Sequence, residues 1–290
     1  MPELPEVQTT VSGLYRFVRG LSIIDVWTEY NSPYFHGKDT IKDPKYFKYF
    51  KNKIKNTEII HISRRAKNIL IHLSNEYTIL IHMKMTGHVM YGDYNKKDPY
   101  NRFIRLIFYL SNGKTIELCD TRKFAKVTLI ETAKMNESIH LKDIGPEPLE
   151  KEFTFPIFKD QINKKPNGKI KLVLMDQSII AGIGNIYADE SLWRSGIHGE
   201  SIVKKIPDKK LKELYKAIIS TLSKGIDFGG DSMSDYRNIH GERGKFQEEH
   251  KAYRKTGTKC SKKGCNGKII RTVIGGRGTH FCNTHQKIYK

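Results

Sequence analysis

The sequence predicts an α+β chain of two domains, and three observations carry that prediction. From about residue 22 to 132 the chain reads as short β-rich runs separated by polar turns. At Gly145-Pro146-Glu147-Pro148 two prolines and a glycine interrupt any element. Beyond that break apolar residues recur at helical spacing, and a cysteine/histidine cluster lies near the end. With 290 residues the chain is long enough for two ordinary cores.

Taken in order, residues from about 4 to 19 read as a helix, because Val7, Val11, Leu14 and Val18 share one face. The β-rich runs are 57–63, 69–73, 78–85, 103–110, 114–119 and 126–130. Ser74-Asn75-Glu76 and Ser111-Asn112-Gly113 separate some of them, and the Asn-Gly pair is a strong hairpin signal. Several short strands at this spacing predict a β-sandwich or barrel. After the break, 169–178 reads as a short helix, followed by a second helix that opens near Asn185. Residues from about 208 to 224 form a third, with Leu211, Leu214, Ile218 and Leu222 on one face. The stretch 229–250 is polar, Gly-bearing and long, and loops of that length are uncommon unless functional or disordered. The expected organisation is a β domain at 1–144, a linker at 145–155, a helical domain with the long loop at 156–250, and a metal-binding hairpin at 251–290. There is no internal repeat.

Charge narrows the partner. Fifty-one Lys and Arg against 31 Asp and Glu give a net charge of +20, which favours a polyanion. Nucleic acid and an anionic membrane both qualify. No basic amphipathic helix with an aromatic anchor stands out, so nucleic acid is preferred. No apolar run approaches the roughly 18 residues of a membrane span. Glu3 and Glu6 occupy the place where a secretory signal would be basic, so an intracellular protein is expected. Four cysteines are too few for a disulfide scaffold of this size, and Cys119 in an apolar run reads as core.

The first residues, Met1-Pro2-Glu3-Leu4-Pro5-Glu6, carry the sharpest chemical signal. With Met1 removed, Pro2 would present a free secondary amine beside a carboxylate. A free α-amino group has a pKa of about 7.7–8.0, so a useful fraction is neutral and nucleophilic at neutral pH. Such an amine can attack a sugar C1′ and form an iminium.

Near the other end, Cys260-x4-Cys265-x16-Cys282-x2-His285 offers three thiolates and an imidazole, the donor set of a closed structural Zn site. Between its two halves lies Gly275-Gly276-Arg277-Gly278-Thr279. There Arg277 suits bidentate phosphate contact, and the glycines allow close backbone approach. His280 is a weaker metal candidate, expected to face a groove or solvent. In Gly182-Ile183-Gly184-Asn185, Asn185 is placed to cap the following helix, whose start could hold a phosphate. Lys67, after Arg64-Arg65-Ala66, sits at an expected strand turn. Met85 precedes Thr86-Gly87 at a strand end, and Arg122 with Phe124 forms a basic–aromatic pair on a loop. An apolar wedge with an arginine can fill the gap left by an extruded base.

These segments, read together, resemble the formamidopyrimidine-DNA glycosylase and endonuclease VIII family nearly end to end. The most specific matches are PELPEV at 2–7, GIGNIYADESL at 182–192 and GGRGTHFC at 275–282. The resemblance implies an N-terminal β-sandwich with flanking helices, and a C-terminal helical domain with a helix–two-turn–helix and a zinc-finger β-hairpin. It implies a bifunctional glycosylase and abasic-site lyase acting as a monomer on damaged double-stranded DNA, with one structural Zn2+ and no membrane partner. It assigns Pro2 as nucleophile, Glu3 as acid/base, Glu6 as support for the N-terminus, and Lys67 as a sugar-phosphate contact that assists elimination. Asn185 and Arg277 would grip phosphates, Arg277 also aiding the second elimination, and Met85, Arg122 and Phe124 would occupy the vacated stack. The metal set would be Cys260, Cys265, Cys282 and His285. Two departures stand out: relatives commonly use four cysteines with x2 spacing in both knuckles, and Ala125 replaces a common Gly. Leu4 and the long loop lean toward oxidised purines over oxidised pyrimidines. The competing reading is a catalytically silent damage-binding protein.

Overall fold

The computed structural model describes every residue except Tyr94. The chain divides into two compact units, Met1–Lys142 with Phe228–Lys245, and Asp143–Asp227 with Phe246–Lys290.

The first unit opens with helix α1 (Leu4–Val18), whose Val7, Val11, Leu14 and Val18 are buried as the periodicity requires. Eight strands follow: β1 (Ser22–Thr28), β2 (Thr57–Arg65), β3 (Asn68–Leu73), β4 (Tyr77–His82), β5 (Gly87–Tyr91), β6 (Ile104–Leu110), β7 (Thr115–Asp120) and β8 (Lys126–Glu131). All pair antiparallel, in the order β5-β7-β6-β1-β2-β3-β4-β8. The β1–β2 junction has only the pairs Ser22–Glu58 and Ile23–Thr57, so two four-stranded halves meet at a corner. One apolar core joins both halves to α1, from Val26 and Phe108 on one side to Ile71 and Ile81 on the other.

Three elements lay outside the sequence expectation: β1, β5 and helix α2 (Pro44–Ile54). The expected strand 78–85 stops at His82. Lys84 takes φ +54°, and a Cβ on Gly87 would come 2.4 Å from the Met83 carbonyl, so the chain turns there before β5 begins. Helix α2 starts with Pro44 behind Asp43, whose Oδ1 accepts from the Lys45 N–H at 2.9 Å.

The long loop was expected with the helical domain, but residues 228–245 pack on the first unit. The reason is hydrogen bonding and burial. Tyr236 is buried and donates to the Glu6 carbonyl at 3.0 Å. Tyr91 N–H donates to the Ile239 carbonyl at 2.8 Å, and Arg237 Nε bonds Asp98 Oδ2 at 2.6 Å. The Ile239 side chain lies where a Cβ on Gly13 would stand, 2.8 Å away.

The second unit contains α3 (Phe155–Asn163), α4 (Ile170–Met175), α5 (Asn185–Ser195), α6 (Asp208–Asp227) and the hairpin β9 (Ile269–Ile274)–β10 (Arg277–Cys282). Leu211, Leu214, Ile218 and Leu222 of α6 are all buried. Gln177 builds the turns between α4 and α5. Its Nε2 donates to the Met175 and Ile183 carbonyls at 2.9 and 2.8 Å, and its Oε1 accepts from Gly182 N–H at 2.9 Å. The start of the expected linker packs against these turns. Gly145 N–H donates to the Gln177 carbonyl at 2.8 Å, and a Cβ on Gly145 would lie 2.7 Å from Ile179 backbone atoms.

Candidate functional site

In the first unit, Pro2 and Glu3 are buried at the N-terminus of α1. A capping box holds them: Glu3 is the N-cap, and its N–H donates to Glu6 Oε2 at 2.7 Å. The other Glu6 oxygen accepts the Asp231 N–H at 2.7 Å. One buried carboxylate therefore ties the first residues to the 228–245 loop. Gly230 fits there because its φ is +85° and a Cβ would stand 2.9 Å from Glu6 Cγ.

Lys67 is 5% exposed and occupies the second position of the two-residue β2–β3 turn. Arg64 shapes that turn, donating through Nη1 to the Ala66 carbonyl at 3.0 Å and through Nε to Gln8 Oε1 at 2.9 Å. Ala66 sits at φ +52°, a conformation rare for a residue with a Cβ. Burial, then the charges of Lys84 and Lys67, push the nearby His82 down to about 3. That imidazole is neutral and accepts the Lys84 N–H at Nδ1, 2.9 Å away.

Met85, Arg122 and Phe124 come together as a group. Arg122 Nη1 lies 3.5 Å from Met85 Sδ, and its guanidinium carbon is 4.4 Å from the Phe124 ring centroid. Met85 and Phe124 are 46% and 45% exposed, which no packing role explains. Asp120, fully buried, organises the loop beneath them. It accepts from Ala125 N–H at 2.6 Å and from Tyr30 Oη at 3.4 Å, and it bonds the Thr86 hydroxyl. Ala125 is itself buried and does not take a positive φ, so the loop does not require glycine there.

In the second unit Asn185 is the first residue of α5, and Gly184 takes the N-cap position. The capping expectation is thus corrected: Asn185 Nδ2 donates to the Gly278 carbonyl at 3.0 Å, pinning the hairpin to the helix start. Its Oδ1 is buried with no hydrogen-bond partner among the described residues. Gly275 and Gly276, at φ +53° and +74°, make the two-residue turn between β9 and β10. Arg277 follows directly and is exposed.

Sequence reasoning missed what anchors this hairpin. Lys171 and Asp189, both fully buried, pair at 2.6 Å, and Lys171 Nζ also donates to Thr279 Oγ1 at 2.7 Å and the Gly278 carbonyl at 3.1 Å. Asp189 Oδ2 accepts the His280 N–H at 2.8 Å and lies 3.2 Å from its Nδ1. His280 is therefore buried in this network and faces neither groove nor solvent. The signal available was two charged residues on otherwise apolar helix faces. Glu190, also buried, accepts the backbone N–H groups of Lys251, Ala252 and Tyr253.

Cys260, Cys265, Cys282 and His285 place their donor atoms within 4.8 Å of one another. Sγ–Sγ for Cys265 and Cys282 is 3.5 Å, and Cys260 Sγ is 3.3 Å from His285 Nδ1. Backbone N–H groups of Lys262, Gly267 and Thr284 point at the three sulfurs at 3.5, 3.4 and 3.4 Å. His285 Nε2 bonds the Trp193 carbonyl at 2.9 Å, which leaves Nδ1 with its lone pair toward the sulfurs. Burial holds the His285 pKa down, favouring that neutral form, and pushes the Cys282 thiol up to about 11. A bound cation would relieve that penalty. A Cβ on Gly267 would meet Cys282 Sγ at 2.6 Å, so the knuckle needs glycine. The x4 spacing and the terminal histidine thus still bring together four donors that could hold a metal ion.

Residues 1–127 match the formamidopyrimidine-DNA glycosylase N-terminal domain, and residues 144–237 match the formamidopyrimidine-DNA glycosylase H2TH domain. The formamidopyrimidine-DNA glycosylase of Bacillus subtilis is 37% identical over 282 residues, covering 97% of this chain and 98% of the relative. A complex of wild-type Lactococcus lactis Fpg (MutM) with DNA containing N7-benzyl-Fapy-dG superposes with TM-score 0.85 at 32% identity, covering 99% of this chain and all of that one. The complex of the same protein with DNA containing an oxidized pyrimidine gives TM-score 0.84, with the same identity and coverage. With the fold, the four-donor cluster and both domain matches in agreement, this chain belongs to the formamidopyrimidine-DNA glycosylase family.

Proposed function

We propose that this chain is a base-excision-repair DNA glycosylase with abasic-site lyase activity, and that its nucleophile is the Pro2 amine once Met1 has been removed. The observation that carries the reading is the start of α1, where Pro2 is buried next to Glu3 and a capping box ties Glu3 to Glu6. An α-amine ordinarily titrates at about 7.7–8.0, so a useful fraction is neutral and nucleophilic at neutral pH.

The chemistry balances with the residues present. The damaged nucleotide leaves the stack, at a cost least for poorly paired lesions. The Pro2 nitrogen forms a bond to C1′, the glycosidic bond breaks, and the base departs with its electron pair and a proton. Glu3 relays protons as the sugar ring opens and the iminium forms, losing the amine proton. The iminium acidifies C2′–H. Loss of that proton expels the 3′ phosphate, and a second elimination expels the 5′ phosphate. Lys67 contacts the sugar-phosphate and assists the first elimination, and Arg277 assists the second. Asn185 and Arg277 hold flanking phosphates, while Met85, Arg122 and Phe124 fill the vacated stack.

Damaged duplex DNA is the partner. The relatives' name and Leu4 favour oxidised purines. The Lactococcus lactis protein is seen with both a formamidopyrimidine and an oxidized pyrimidine, so the scaffold accepts both classes in that relative. The Cys260–Cys265–Cys282–His285 site would hold one Zn2+, supplying folding energy to the hairpin and no chemistry.

Borohydride trapping on duplexes carrying an abasic site, 8-oxoguanine or an oxidised pyrimidine tests the proposal. A covalent adduct that vanishes when the N-terminus is blocked supports it, and the lesion giving most adduct selects the substrate branch. Tight binding with no adduct, from protein with a processed N-terminus, would leave a damage-binding protein.

A further inference from the structure

Met85, Arg122 and Phe124 also form one side of an open cavity of about 910 Å³ in the first unit, whose other lining residues have no role above. Its lining is unusual in charge. Lys38, Lys42, Lys84, Lys123 and Lys126 line it, with Asp39 as its one carboxylate. Lys42 is 7% exposed, donates to the Lys123 carbonyl at 2.6 Å, and lies 5.0 Å from the Phe35 ring centroid. Lys126 Nζ lies 3.3 Å from His140 Nδ1, so that imidazole accepts from the lysine. Burial first, then the neighbouring Lys84 charge, holds the Lys126 pKa down, with Asp39 opposing that shift. Phe35 and Phe124 supply flat apolar walls.

We propose that this cavity takes a nucleotide of the DNA strand facing the Met85–Arg122–Phe124 wedge, its phosphate on Lys84 and Lys126 and its sugar and base against Phe35 and Phe124. Charge complementarity selects an anion, the aromatic walls select a group with a flat face, and continuity with the wedge selects DNA. The inference rests on the wedge entering DNA, as in the proposed function. It adds a contact to the undamaged strand.

The test is a Lys84→Gln/Lys126→Gln variant, compared with wild type and with Lys84→Arg/Lys126→Arg, on an abasic site in duplex and in single-stranded DNA. Losing one or two phosphate contacts should weaken duplex affinity roughly tenfold at low salt. It should also flatten the salt dependence by about 0.9 per contact. Arginine should restore both. Borohydride trapping on the single strand, which lacks the facing strand, should be unchanged. Duplex affinity and salt slope within twofold of wild type would overturn the proposal. So would an equal loss on duplex and single strand, which would put the lysines on the lesion strand. Tight binding of free dGMP by wild type, with duplex affinity unaffected by the variant, would make the site a free-nucleotide site and also overturn it. Failure of wild type to bind damaged duplex at all would instead sink the proposed function.

Discussion

The two units hold their functional residues by different means. In the first, a broad apolar core spans both sheet halves and α1, and the candidate residues sit on turns and a helix start at its margin. In the second, the hairpin bearing Arg277 is held by polar anchors: the buried Lys171–Asp189 pair, the Asn185–Gly278 bond and the cysteine/histidine cluster. Apolar contacts are many and individually replaceable, whereas each polar anchor is single and costly to break. Conservative trimming of the first unit's apolar core should therefore cost less than breaking a polar anchor of the hairpin.

With a metal ion bound at the cysteine/histidine cluster, as proposed, the largest effect should come from removing it. Cys282→Ala or chelation should remove on the order of 10 kcal/mol from the hairpin. Hydrogen exchange should show amides of β9 and β10 losing protection while β3 and β4 keep theirs. Equal loss in both regions would erase the contrast. Next, Lys171→Met should destabilise the second unit by about 3–5 kcal/mol, because Asp189 would be left buried and uncompensated. The His280 amide, which donates to Asp189, reports this directly.

Acid probes the first unit. Burial lowers His88 from 6.5 to about 4 and His82 to about 3. Between those values and 6.5 the unfolded chain binds more protons, so stability is fully present above pH 6.5 and is lost as pH falls. The expected slope is about 1.4 kcal/mol per pH unit for each histidine down to its folded pKa. Urea unfolding across pH 7 to 4 measures it, and His88→Gln should flatten the slope. Glu6→Gln should cost about 1–3 kcal/mol, since a charged acceptor for two buried N–H groups is weakened. Its mark would be faster exchange at Asp231. Smallest of all, Ile71→Val in the apolar core should cost about 1 kcal/mol with no local effect at either site.

Much of this was legible beforehand, and the misses have physical causes. The 3–4 spacing of Val7, Val11, Leu14 and Val18 is a local signal, as is the β-rich composition of the short runs between polar turns, so those elements were readable. The cysteine spacing was legible because metal ligation is itself local at each knuckle. The placement of 228–245 was not, because the hydrogen bonds to Glu6, Asp98 and Tyr91 that hold it are remote in sequence. Lys171 and Asp189 were missed for the same reason: a buried charge is recognisable only once its partner is known. Asn185 was recognised as important but assigned to the wrong bond, since its partner carbonyl lies on the hairpin.

The proposed reaction turns on a bond between the Pro2 nitrogen and the sugar. The most direct measurement is peptide mapping by mass spectrometry of the borohydride-trapped complex with an abasic-site duplex. The reduced sugar adduct should lie on the N-terminal peptide, at Pro2, with Met1 absent. An adduct on Lys67 or any other lysine, with the Pro2 nitrogen unmodified, would contradict it.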